Sequence, residues 1–136
     1  MCLILEKDSV RTVAYTDIVV YKVVTEVVRT VKQSLFGFIQ SETFYRSPYY
    51  LFEYEKGVTY YGALEKSACI FSGNRTVDQG FHSYERLEDA KRNTGPYGVV
   101  VKCIIPAGAE FFKGTGIDRT PQYASNKIVI KEEVKL

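Results

Sequence analysis

The sequence predicts an α+β fold made mainly of antiparallel strands, with one clear short helix at about residues 84–94. Two runs of β-branched and aromatic residues, DIVVYKVV at 17–24 and VVVKCII at 99–105, are typical of buried strands. Only one segment carries the charge order of a helix, and a length of 136 residues suits a single core. We therefore expect residues 1–136 to form one globular domain.

The first half of the chain is predicted to contribute strands. Residues 1–16 begin apolar and turn polar, which favours one strand, and 17–24 indicates a central strand covered on both faces. Mixed Thr, Val and charged residues at 25–33 predict a strand with one solvent-exposed face. LFGFIQ at 35–40 predicts an edge strand. Glu-Lys-Gly at 55–57 predicts a hairpin turn between the aromatic runs that flank it.

The predicted helix follows a polar segment. Gly, Ser, Asn and Asp make 72–80 a loop by composition. Ser83 then stands at the expected N-cap, acidic residues occupy the first turns, and basic residues occupy the last turn. Gly95 and Pro96 are predicted to end this helix.

The chain is predicted to return to strands after the helix. Following 99–105, Pro106 and Gly108 suit positions i+1 and i+3 of a type I turn that leads into AEFF. The composition of 114–122 predicts a flexible loop. KIVIK at 127–131 alternates polar and apolar residues, which predicts a strand with one buried face.

Charge and cysteine spacing exclude several function classes. The 18 basic and 16 acidic residues nearly cancel, so a surface for duplex nucleic acid is not expected. Cys2, Cys69 and Cys103 lack the spacing of metal ligands, so we predict no metal and no cofactor. Free thiols suit a reducing compartment, and no run approaches the roughly 20 apolar residues of a membrane helix. A cytoplasmic protein without membrane contact is expected.

A candidate ligand site lies where the predicted loop meets the predicted helix. Gly80, Phe81, His82 and Ser83 run into the helix start, where unpaired backbone N–H groups attract a phosphate or carboxylate. Arg86 would add a charge-assisted contact, and His82 would donate to the anion. The alternative is that Ser83 only caps the helix and His82 fills a turn. No nucleophile motif accompanies this single histidine, so we predict no catalytic residues.

The segment 43–61 is unusually aromatic, with six tyrosines and two phenylalanines. Strand packing explains such a density, because a tyrosine ring packs while its hydroxyl stays wet. Protein interfaces and base stacking also favour tyrosine, which makes Tyr49 and Tyr50 candidate interface residues.

Two resemblances extend these inferences. Tyr21-Lys22, FEYEKGVTYY, GFHSY, VVVKCIIPAGAEFFKG and YASNKIVI together resemble small uncharacterised proteins of phages and gut bacteria. That resemblance implies a phage protein acting in the cytoplasm of a host bacterium, but it carries no chemistry.

The second resemblance is to the ADP-ribosyltransferase-like fold. GFHS at 80–83 and VKCIIPAGAEFF at 101–112 are similar to that family's middle elements. Lys22 stands where the family has arginine, and Ala124-Ser125 stands where it has the catalytic glutamate. The resemblance therefore implies a nucleotide-shaped cleft without the family's catalytic pair.

Three hypotheses follow. The first is a non-enzymatic domain that binds a small anionic ligand, such as a nucleotide or a nucleotide-derived signal, and sequesters a host defence signal. Its pocket would be lined by Tyr21, Lys22, the corner from Gly80 to Arg86 and tyrosines of 43–61. Substitution of His82 or Arg86 by alanine is then expected to weaken ligand binding without unfolding.

The second hypothesis is a divergent ADP-ribosyltransferase-like enzyme that acts on NAD through Lys22, Ser83 and Glu110. The third is a protein-interaction module whose tyrosine-rich face at 43–61 binds a host protein or forms a homodimer.

Overall fold

The computed structural model describes residues 3–5, 10–33, 37, 39–47, 52–68, 75–116 and 118–135. These residues form thirteen strands and one short helix. The strands are β1 (Leu3–Ile4), β2 (Thr12–Val13), β3 (Ile18–Gln33), β4 (Ile39–Arg46), β5 (Glu53–Glu55), β6 (Thr59–Tyr61), β7 (Glu65–Ala68), β8 (Arg75–Gln79), β9 (Phe81–Tyr84), β10 (Val99–Ile105), β11 (Glu110–Thr115), β12 (Pro121–Ser125) and β13 (Lys127–Val134). The helix α1 spans Leu87–Arg92.

Every strand pair in this described part of the chain is antiparallel. The prediction of a mainly antiparallel β domain with one short helix is therefore confirmed, whereas the α+β class fits only roughly, because almost all of the regular structure in these residues is β. Across the sheet the order is β6-β13-β10-β3-β9-β12-β11-β1-β8-β7, with β2 beside β11, β4 beside β3, and β5 beside β4. In the described ranges, no helix has the length and apolarity needed to cross a membrane.

The long strand β3 joins two parts of the sheet. Residues 18–24 pair with β10, and the next stretch, 25–33, pairs with β4. The two strands predicted at 17–24 and 25–33 are thus one continuous strand of 16 residues. Its β-branched residues suit this extended conformation throughout.

Alternation along β3 sends its side chains to two separate cores. Val20 and Val24 are fully buried in the larger core, together with Cys103 of β10. Tyr21 and Val23 point to the opposite face. There they pack against a small core beneath the helix, formed by Tyr84, Ala90 and Val100.

The helix is shorter than predicted and starts later. It begins at Leu87 with Arg86 as its N-cap, and the Arg86 side chain makes no capping hydrogen bond. The predicted cap, Ser83, is buried within β9 instead. Residues 81–84 pair with β12, and this pairing overrides the preference of serine for a helix start.

Two other local predictions are wrong. Within the segment predicted as a loop at 72–80, the described residues 75–79 form β8, which lies between β1 and β7. The turn at 55–57 forms with Gly57 at a φ of +83°, but it closes no hairpin ladder. Its flanking strands pair elsewhere, β5 with β4 and β6 with β13.

Further boundaries differ in detail. Residues 39–40 of the predicted edge strand belong to β4, and the N-terminal region contains β1 and β2 rather than one strand. Within the predicted loop at 114–122, β11 extends to Thr115 and β12 starts at Pro121, so the described loop residues are 116 and 118–120.

The strand prediction at 99–105 is confirmed residue for residue, and 127–131 is confirmed as the start of β13. The turn after β10 is displaced by one residue, because the Ala109 N–H donates to the Pro106 carbonyl at 3.0 Å. Gly108 therefore occupies position i+2 with a φ of +88°, which is the geometry of a type II turn. The strand that follows, β11, pairs with β12 and β2 instead of returning along β10.

Candidate ligand-binding cleft

Four aromatic rings from three strand segments form one cluster. Phe52 lies beside Tyr54, with ring centroids 4.9 Å apart, and contacts Phe81 edge-on at 5.9 Å. Tyr60 meets the Tyr54 ring edge-on at 5.3 Å. Tilted and edge-on contacts are the arrangements that aromatic pairs prefer, so the four rings pack favourably against one another.

This aromatic cluster opens into a cleft of about 520 Å³. Its ring-bearing lining residues are Phe52, Tyr54, Tyr61 and Phe81. Phe52 and Tyr61 are also exposed to solvent, at 41% and 71%. A volume and lining of this kind are typical of small-molecule sites.

The polar groups of the cleft are neutral. Ser47 and Gln79 line it together with Tyr54 and Tyr61, and each of these side chains carries an uncharged polar group. Such groups donate and accept hydrogen bonds without adding a charge. They would orient a ligand that the rings hold.

Two glycines in the lining leave room for the rings and the backbone. A Cβ on Gly62 would lie 3.1 Å from the Phe81 ring. Gly80 has a φ of +146°, which L side chains rarely adopt, and a Cβ there would lie 2.8 Å from a methyl of Leu64. The floor of the cleft therefore depends on glycine at both positions.

Lys22 lies next to this site without lining it. Alternation along β3 places its side chain on the larger core face, where only 8% of it is exposed. Its ammonium donates to the His82 carbonyl and lies 5.5 Å from the centre of the Tyr54 ring. Among the described residues it forms no ion pair with a carboxylate. Burial lowers the pKa of Lys22 from 10.5 to about 8, with a smaller opposing effect from Cys103.

His82 is half-buried, and its imidazole faces two backbone carbonyls. Nδ1 lies 3.1 Å from the Gly80 oxygen, and Nε2 lies 3.0 Å from the Val77 oxygen. Burial lowers the pKa of His82 to about 4, and the Lys22 charge acts in the same direction. The two carbonyls favour the charged ring, but burial and the ammonium outweigh them. The ring is therefore neutral near pH 7, and its single N–H can donate to only one of these two carbonyls.

The structure brings some of the predicted site residues together. Gly80 and Phe81 line the cleft, and Lys22 touches it through the Tyr54 ring. Ser83 is buried, and its Oγ has no hydrogen-bond partner among the described residues. The predicted anion seat does not form as expected, because residues 81–84 are paired with β12 instead of leading into a helix.

Other predicted residues lie away from the cleft. Tyr21 faces the helix-side core, and Arg86 is exposed at the start of α1. Glu110, which the enzyme hypothesis invokes, forms an ion pair with Arg11 at 2.5 Å at the start of β11. Tyr49 and Tyr50 fall outside the residues that the structure describes.

Sequence reasoning missed four lining residues: Ser47, Gly62, Ala63 and Gln79. Phe52, Tyr54 and Tyr61 belong to the aromatic segment 43–61. The density of aromatic residues in that segment is therefore a usable signal of the cleft. Gly62 directly follows that segment, and a glycine beside several rings is a further hint of close packing.

No protein-family model, curated protein or solved structure matches this chain. The cleft is consequently interpreted from its own geometry. The two resemblances inferred from the sequence stay predictions.

Proposed function

We propose that this chain is a non-enzymatic binding domain for a small nucleotide-like ligand, whose planar base stacks in the aromatic cleft. The observation that carries the proposal is the cluster of rings at one cleft of about 520 Å³. Every nucleobase has a flat π face, and stacking on an aromatic side chain contributes roughly 1–3 kcal/mol per base.

The remaining lining supports the same class of ligand. Ser47 and Gln79 offer neutral donors and acceptors to the edge of a base. Gly62 and Gly80 let Phe81 and Leu64 pack closely against the backbone that lines the cleft. The ligand is held by stacking and hydrogen bonds, and its sequestration by a phage protein would deprive the host of a signal.

Thermal shift and isothermal calorimetry with NAD, ADP-ribose, cyclic dinucleotides and nucleoside monophosphates test the proposal. A ligand at 100 times its dissociation constant is expected to stabilise the protein by roughly 2.7 kcal/mol. Tyr61→Ala removes an exposed ring of the cleft and is expected to weaken binding about tenfold, because one stacking contact is lost.

Tyr15→Ala is the matched control, since Tyr15 is 93% exposed and is not part of the cleft lining. It should bind the ligand like the parent protein. Equal weakening by the two substitutions, or no binding of any compound in the panel, would count against the cleft as a nucleotide site.

The exposure of Phe52 and Tyr61 favours a second candidate, a protein-interaction surface. If the cleft mouth is the contact of a homodimer, sedimentation should show a dimer that Tyr61→Ala dissociates and Tyr15→Ala leaves intact. A monomer at all concentrations would exclude the homodimer hypothesis.

Incubation with NAD also distinguishes a domain that only binds the ligand from an enzyme that cleaves it. Lys22 and the His82–Ser83 segment are neighbours, as the enzyme hypothesis requires, while Glu110 is paired with Arg11. Release of nicotinamide from NAD would support the enzyme, and unchanged NAD after prolonged incubation would favour the binding domain.

A further inference from the structure

Lys127 lies directly beside the cleft. It is the first residue of β13 and pairs with Tyr61 of β6, so the two side chains are cross-strand neighbours. Its ammonium lies 5.3 Å from the centre of the Tyr61 ring, and the residue is half-buried. The adjacent Asn126 carbonyl accepts the Gly62 N–H at 2.9 Å. The backbone that carries Lys127 is therefore fixed to the segment that lines the cleft.

Two other cations near the cleft are already neutralised by acids. Arg46, next to the lining residue Ser47, pairs with Glu53 at 2.9 Å. Arg11 donates to the Leu64 carbonyl at 3.3 Å and pairs with Glu110.

Lys127 forms no such pair with any carboxylate in the described ranges. Its positive charge is thus available to a ligand.

Lysine ammonium groups lie over both tyrosines of the lining. Lys22 places a second ammonium over the other lining tyrosine, Tyr54. These two ammonium groups make the surroundings of the tyrosine rings electropositive. Glu65, the strand partner of the lining residue Gln79, is exposed. An anionic group is expected beside Lys127.

We propose that Lys127 binds the anionic group of the ligand, a phosphate or carboxylate, while the ligand's ring occupies the cleft. This assignment rests on the proposed function and adds the source of its selectivity. Lys127 then makes the cleft prefer phosphorylated nucleosides to the uncharged nucleosides that contain the same base. An ammonium pairs with phosphate as a point charge, so the contact tolerates a range of ligand geometries.

Calorimetry with matched pairs of compounds tests this inference. The probes are AMP with adenosine, GMP with guanosine, and UMP with uridine. For the pair that binds, the monophosphate is expected to bind about tenfold more tightly than the nucleoside, as one charge-assisted contact provides. Lys127→Gln should abolish that difference by weakening the monophosphate alone.

Two further variants make the result specific. Lys127→Arg retains the charge and should keep the preference for the monophosphate. Lys131→Gln removes an exposed lysine of the same strand and should leave both affinities unchanged. The salt dependence of monophosphate binding is expected to fall in Lys127→Gln and in neither other variant.

The outcomes separate this inference from the function on which it rests. If nucleosides and monophosphates bind the parent protein equally, or if Lys127→Gln retains the preference, Lys127 is not the anion site and the stacking cleft still stands. If no nucleoside and no monophosphate binds the parent protein, the Lys127 inference is overturned, and if NAD, ADP-ribose and the cyclic dinucleotides also fail to bind, the stacking cleft is overturned with it.

Discussion

The ammonium of Lys22 lies 5.5 Å from the centre of the Tyr54 ring, inside the larger core and against a wall of the cleft. A buried cation is normally paired with a carboxylate, because desolvation strongly disfavours the charge. Here the partners among the described residues are a carbonyl oxygen and an aromatic ring. Lys22 therefore places a positive charge beside the cleft and at the same time lowers the free energy of unfolding.

We expect Lys22→Met to stabilise the protein at pH 7. Lowering the pKa from 10.5 to about 8 corresponds to about 3 kcal/mol of unfavourable burial of the charge. Methionine fills a similar volume but forfeits the bond to the His82 carbonyl, so the expected net gain is roughly 1–2 kcal/mol. Urea unfolding measures it, with Lys102→Met on the half-exposed face as control. A clear loss of stability would mean that the bond and the ring contact outweigh desolvation.

The same lysine predicts a rise in stability between pH 8 and 9. In that range the unfolded chain keeps the Lys22 proton while the folded protein releases it, so raising the pH favours the folded state. The expected gain is about 0.5–1 kcal/mol, seen as a higher urea midpoint. Lys22→Met should remove it, and an unchanged rise in that variant would assign the effect to another group.

Cys103 acts in the opposite direction above pH 9. Burial raises the pKa of this thiol from 9.0 to about 12, so the folded protein holds a proton that the unfolded chain loses. Stability is then lost as the pH rises above 9, which offsets the gain from Lys22. Cys103→Ala is expected to extend the stability rise to about pH 10, whereas a rise that still ends at pH 9 would exclude the thiol as its cause.

His82 predicts a loss of stability in acid. Its pKa is about 4 in the folded protein and 6.5 in the unfolded chain, so its contribution is present above pH 6.5 and is lost as the pH falls toward 4. His82 is the only histidine, so one imidazole resonance in NMR reports its titration. A resonance that titrates near pH 6.5 in the folded protein would contradict the burial of this ring. His82→Gln should flatten the stability profile between pH 6.5 and 4.

Gly62→Ala is expected to destabilise the protein by roughly 1–3 kcal/mol, because the new methyl must displace the Phe81 ring. In a Phe81→Leu background the same substitution should cost less, since the smaller side chain leaves room. A double-mutant cycle from urea unfolding measures this coupling. Additive effects would show that Gly62 is required for another reason.

Continuous apolar runs were the part of the fold that the sequence predicted well. Residues 99–105 are β-branched and apolar almost throughout, and they form a strand with those bounds. The polar composition of segment 72–80 predicts a loop, yet its part at 75–79 pairs with two strands. Pairing with the distant strand β1 and the preceding strand β7 decided that conformation, and local composition does not indicate either pairing.

The candidate site shows the same division. Gly80 and Phe81 were singled out as part of a helix start, but they contribute to the cleft as a backbone bend and a ring. Tyr61 reaches them because β6 pairs with β13, a contact between residues far apart in sequence. Lys127 enters through that same pairing. The sequence alone indicates which residues are suited to a ligand site, whereas the strand order decides which of them lie close together.

The continuous strand β3 has a consequence for how the chain is made. Its second half can pair with β4 soon after synthesis, but its first half must wait for residues 99–105. At roughly 5–20 residues per second, the ribosome needs several seconds to supply them. During that interval we expect residues 18–24 to lack their β10 partner, and an unpaired apolar strand edge is a template for pairing with other chains. Yield in cells should therefore depend on chaperone protection of this segment as well as on the stability of the finished protein.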